Sequence, residues 1–83
     1  MELSKLKNIG TEMTKKLNSI GINSAEELQQ TGSKEVFHRL KASYPEVCLV
    51  HLYAIQGAID DLDFNMLSQD TKKELKTFYE GLK

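Results

Sequence analysis

The stretch VCLVHLYAIQGAIDDL, residues 47 to 62, most limits what this chain can become. Its apolar residues fall nearly all round a helix rather than along one stripe, which marks a helix enclosed by others. A chain of 83 residues buries only about 60% of its unfolded surface and holds one modest core. The remaining segments must therefore arrange themselves around this one. Pro45 fits the first turn of a helix and not its interior. It predicts that one helix ends near Tyr44 and that the central helix begins at Pro45. Asp60, Asp61 and Asp63 close that helix in a solvated connection.

The other segments read as amphipathic helices with local punctuation. Met13, Leu17 and Ile20 recur at i, i+4 and i+7 and form one apolar stripe over Thr11 to Ile20. Gly21 suits the position just past a helix end, where positive φ is wanted. Ser24 and Glu27 have capping-box spacing ahead of a short helix that turns Ala25 and Leu28 inward. Gly32 stops it, and Ser33 reads as the N-cap of a helix presenting Val36, Phe37 and Leu40. Ser68 caps a last helix carrying Leu75, Phe78, Tyr79 and Leu82. The expected fold is all-α: a compact five-helix domain spanning residues 1–83, with no strand pattern, linker or repeat.

Composition excludes several classes. With 28% charged residues and 40% apolar, the chain is an ordinary globular one. No apolar stretch is long enough to span a bilayer. The opening MELSKLKNIG lacks an apolar signal core, so a cytoplasmic location is expected. A single cysteine, Cys48, gives no internal disulfide. Net charge is −1, and its distribution is uneven. Residues 1–23 carry a net +2, residues 24–67 a net −4 and residues 68–83 a net +1.

Catalytic and metal chemistry finds little footing. Cys48 and His51 have a spacing that puts two ligands on one helical face, but two ligands do not make a structural zinc site. Within so apolar a run, Cys48 is expected to be an inert packing residue. The three aspartates lack the spacing of a calcium loop and read as an acidic helix exit. The tyrosines and phenylalanines sit at core or core-rim positions. No nucleotide-binding glycine loop, catalytic triad or carboxylate pair emerges. No enzyme, cofactor, metal or small-molecule substrate is expected.

The pair Ile-Gly occurs twice, at Ile9-Gly10 and Ile20-Gly21. A glycine just ahead of a helix lets a ligand approach the backbone closely. The helix start itself attracts anions through free N–H groups and the helix dipole. The first pair thus reads either as a phosphate-facing turn or as a plain structural corner; the second reads as a helix-to-helix corner anchored by Ile22. Candidate DNA-phosphate contacts are Lys7, Asn8, Gly10, Thr11, Lys15 and Lys16. The lysines supply charge without sequence preference. No aromatic interleaves with them, so no single-strand stacking platform is formed.

The pattern L-x-x-I-G, a ten-residue helix, then G-I-x-S-x-x-x-L resembles the opening of a helix–hairpin–helix domain. Over residues 6–80 the chain resembles the C-terminal domain of the TfoX/Sxy family, bacterial regulators of genetic competence. GINSAEELQQTG (21–32), PEVCLVHLYAIQGAI (45–59) and DFNMLSQDTKKELK (63–76) follow that domain in order and spacing. The resemblance implies a helix–hairpin–helix-like N-terminal half. It also implies a non-enzymatic role in transcription or DNA-uptake regulation, with DNA as partner. Phosphate-holding hairpin turns often read G-I-G-P-K, whereas this chain has Asn8, Ile9, Gly10, Thr11 and Glu12. Asn8 tolerates the left-handed backbone. Glu12 favours the helix dipole but repels a phosphate. Its presence and the near-neutral net charge motivate the other expectation: a module that contacts a transcription-related protein and no nucleic acid.

Overall fold

The computed structural model describes residues 2–82. Among them are five α-helices and no strand: α1 (Thr11–Ser19), α2 (Ala25–Thr31), α3 (Ser33–Ser43), α4 (Leu49–Asp60) and α5 (Gln69–Gly81). Two short 3-10 turns, Leu3–Lys5 and Phe64–Met66, precede α1 and α5. The body measures 28 × 26 × 20 Å. Helix α4 is central, packing on α2, α3, α5 and the second 3-10 turn. Its Leu52 and Ile55 are fully buried, in one cluster with Leu17, Leu28, Phe37 and Leu75 of the other helices. The enclosure is incomplete, since Val50 is 54% exposed.

Helices α1 and α4 end in the same way. After α1, Gly21 takes φ +91°. The Ile22 amide donates to the Leu17 carbonyl at 2.9 Å and the Gly21 amide to the Asn18 carbonyl at 3.1 Å. After α4, Asp61 takes φ +57°, the Leu62 amide donates to Gly57 at 2.8 Å and the Asp61 amide to Ala58 at 3.4 Å. Both are Schellman motifs, which satisfy carbonyls that a helix end otherwise orphans. At α1 the motif also seats Ile22 beside Leu17, and both are buried. The second Ile-Gly pair is therefore a helix-to-helix corner.

Helix starts follow side-chain chemistry. The Glu27 amide donates to Ser24 Oγ at 3.1 Å, and Glu27 Oε1 reaches back to accept from the Asn23 amide at 3.1 Å. Ser68 Oγ likewise accepts from the Thr71 amide. Removing one such cap costs about 1 kcal/mol. Ser24→Ala is expected to lower the unfolding free energy by that amount, read as a lower urea midpoint at unchanged slope, because no core contact is lost.

Three local expectations are corrected. Pro45 does not open the central helix: Pro45 and Glu46 form a turn, Val47 buries itself from the connection, and α4 starts at Leu49 with Cys48 as its cap. The reason is a competing start signal, since His51 Nδ1 accepts the Cys48 amide at 3.0 Å in the place a glutamate or glutamine takes in a capping box. Cys48 is consequently exposed instead of packed. Ser33 is not a cap either. Gly32, at φ +87°, fills that position, and the buried Ser33 hydroxyl donates to Gln56 of α4. Finally, the element before the Asn8 turn is a single 3-10 turn, too short for the first arm of a hairpin. The helix–hairpin–helix likeness remains one of sequence.

Candidate functional site

Asn8 has φ +69°, the left-handed backbone that asparagine tolerates. That turn drops Ile9 into the core, at 5% exposure, and leaves Gly10 and Thr11 at the surface. Gly10 caps α1 in an extended conformation and has no side chain to occupy the helix start. Among the described residues, no acceptor is bonded to the amides of Thr11, Glu12 or Met13. The first satisfied amide is Thr14, which donates to the Gly10 carbonyl at 2.9 Å. The exposed Glu12 carboxylate accepts no hydrogen bond there. These amides lack a bonded acceptor at a helix start where Gly10, Thr11 and Glu12 are exposed and Met13 is buried, with the positive end of the α1 dipole behind them.

The predicted contact residues divide. Lys7 and Lys15 are exposed and Lys16 is half-buried, its ammonium 5.4 Å from the Tyr44 ring centroid. A cleft of about 230 Å³ brings Asn8, Gly10 and Lys16 together with Glu12, Met13, Val50, His51 and Ala54. Lys7, Thr11 and Lys15 lie outside its walls. The amide of Asn8 is committed elsewhere: Nδ2 donates to the carbonyls of Leu62 (2.9 Å) and Ala54 (3.3 Å), and Oδ1 accepts from the Phe64 amide at 3.2 Å. Only its backbone is left for a ligand. The α4 wall of the cleft, Val50, His51 and Ala54, was not foreseen, because nothing in local spacing links residue 10 to residue 51.

A second, larger depression of about 570 Å³ opens where α3, α4 and α5 meet. Its walls include Gly32, Ser33, Lys34, His38, Gln56, Leu75 and Phe78. Lys34 spans its mouth, with Nζ 3.0 Å from Glu74 and 5.9 Å from the Phe78 ring centroid. Two of the three aspartates near the end of α4 are spent locally. Asp60 accepts from Gln56 Nε2 at 2.9 Å, and Asp63 caps the second 3-10 turn through the Asn65 amide. Among the described residues, no three His, Cys, Asp or Glu side chains cluster as a metal site. None of the helices there is long and apolar enough to cross a membrane.

Fold and site together define a small all-α domain with an uncapped helix start near lysines and open clefts on its surface. The chain belongs to the TfoX C-terminal domain family, whose model matches residues 1–79. It is similar to an uncharacterized protein from Listeria monocytogenes crystallised in a triclinic form, at 38% identity and a TM-score of 0.97. That match covers 99% of this chain and 93% of the other. A tetragonal form of a Listeria monocytogenes protein of unknown function matches at 38% identity and a TM-score of 0.94, covering 98% and 100%. No curated protein matches the chain.

Proposed function

We propose that the domain is a non-enzymatic regulatory module that holds nucleic acid weakly by its backbone, in the transcription or DNA-uptake regulation associated with TfoX proteins. The observation carrying this reading is the uncapped start of α1. Three free N–H groups lie there beside Lys16, with Lys7 and Lys15 exposed nearby in sequence. Amides at a helix start bind phosphate oxygens without reading bases. So few contacts give affinity without sequence preference, and salt should weaken it.

Fluorescence anisotropy with a short labelled duplex at low salt tests this. Binding is expected in the non-specific range, with Kd on the order of 10⁻⁴–10⁻⁶ M. The double variant Lys15→Ala, Lys16→Ala should flatten the salt dependence by up to about two phosphate contacts. Glu12→Gln should tighten binding by removing a like charge from the phosphate site. Absence of binding to duplex and single strand at about 100 μM protein, the weak end of the non-specific range, retires the proposal.

The depression between α3 and α5 favours a second reading, a protein-interaction module contacting a transcription component. Leu75 and Phe78 give it an apolar floor, and Lys34 and Glu74 give it charged rims, the arrangement of an interface with an apolar centre and polar edge. A partner whose capture is lost in Phe78→Ala, with DNA binding absent, would select it.

A further inference from the structure

The amide that leads into α4 is bonded to an imidazole. The Cys48 N–H donates to His51 Nδ1 at 3.0 Å. A nitrogen that accepts carries no hydrogen, so this bond assigns the ring as the neutral tautomer with its proton on Nε2. A glutamate or glutamine in that place would stay an acceptor through the neutral range. Histidine does not, because imidazole changes its charge between about pH 5 and 8. Once protonated, both ring nitrogens are donors. The bond to Cys48 is then lost, and a cation is left against the positive end of the α4 dipole. The first turn of α4 has no acidic side chain to offset it.

We propose that His51 is a proton switch at the start of α4. As pH falls from about 8 toward 5, the ring releases the Cys48 amide, loosens the first helical turn and adds a positive charge to the cleft beside it. The sign follows from the bond. Only the neutral ring accepts, so the cap's stabilisation is present at the upper end of that range and is lost as pH falls. His51 is half-buried and shares the cleft of about 230 Å³ with Val50 and Ala54 of its own helix. Across that cleft the charged groups are Glu12 and Lys16 of α1. Glu12 offers the released ring an opposite charge, and Lys16 a like one. On its own side the Cys48 thiol lies 3.5 Å from Nδ1. Val50 and His51 both belong to the turn that loosens, so proton uptake alters the shape of this wall as well as its charge. The switch is independent of the nucleic-acid reading.

Long-range ¹H–¹⁵N spectra of the full chain across this pH range test it. At the upper end, His51 Nδ1 should resonate as a bare ring nitrogen and Nε2 as a protonated one. The amides of residues 48–50 should then shift with the same midpoint as the ring. Protection of the Cys48 amide from exchange should fall about fivefold, the loss of one cap. His51→Gln keeps an acceptor at that position and takes up no proton. It should hold those amides still and shrink the fall in urea midpoint between about pH 8 and pH 6. His38→Gln, at an exposed position on α3, should leave both responses as in the parent. A ring protonated at Nδ1 at the upper end, or first-turn amides that do not follow the ring, overturns the switch. So does a pH dependence that His51→Gln leaves unchanged.

Discussion

Phe37→Ala is expected to leave the domain largely unfolded at moderate temperature. Phe37 is the largest fully buried side chain. It projects from α3, and its ring packs at 5.8 Å and 58° on that of Tyr79 in α5. Truncating a buried phenylalanine removes its transfer energy and leaves a cavity, together about 3–5 kcal/mol. A domain of this length has about 4–12 kcal/mol to lose. Since 1 kcal/mol moves the melting temperature of a domain this size by about 4–8 °C, the midpoint should fall by 12 °C or more, an order-of-magnitude figure. Phe37→Leu, which keeps most of the volume, should cost far less. Calorimetry on both variants checks this. A midpoint for Phe37→Ala within a few degrees of the parent would show that the α3–α5 contact does not hold the core together.

What the sequence disclosed was mostly what residues settle with near neighbours. The stripe Met13, Leu17, Ile20, the Ser24–Glu27 pair, the Ser68 cap and the Gly21 corner each involve positions at most seven apart. The pattern therefore names the element, and all four occur as expected. The start of α4 misled because two local signals compete. Proline is favoured at a helix's first position, yet a histidine imidazole can replace the usual carboxylate of a capping box, and here it fixes the start at Leu49. Placement of Cys48 followed from that error. One turn more of helix would have rolled the thiol toward the core, whereas as a cap it faces outward.

At the candidate site, the bare start of α1 was legible, since Gly10 offers no capping side chain and Thr11 begins an amphipathic pattern. The use of Asn8 was legible only in part. Its left-handed backbone follows from residue type. Its three bonds reach residues 46, 54 and 56 positions away, and no periodicity encodes such pairings. The cleft shared with His51 depends on the same closure of the N-terminal turn onto α4, so it too was invisible before the fold was known.

Gly57→Ala is the second change expected to have a large effect, and simple propensity gives it the wrong sign. In a helix interior, alanine is favoured over glycine by about 1 kcal/mol. Here a Cβ on residue 57 would lie 2.6 Å from Asn8 Nδ2 and 2.6 Å from the Leu62 carbonyl oxygen. Neither neighbour can step aside cheaply. The Asn8 amide is held by its bonds to Leu62, Ala54 and Phe64. The Leu62 carbonyl belongs to the Schellman corner that closes on the carbonyl of Gly57 itself. Overpacking of a rigid site costs about 1–3 kcal/mol, and each lost hydrogen bond adds about 1 kcal/mol. A net destabilisation of about 2–4 kcal/mol is expected, observable as a lower urea midpoint at unchanged slope. Asn8→Gly separates the two neighbours: it keeps the positive-φ backbone and removes the amide. If Asn8 carries part of the strain, the double variant should be more stable than the sum of the single losses by about 1 kcal/mol, a coupling within the range for residues in contact. Strict additivity would assign the whole overlap to the Leu62 backbone. A Gly57→Ala protein as stable as the parent would mean that the N-terminal turn is not clamped to α4, and the cleft between Gly10 and His51 would lose the bond network that holds its two walls in register.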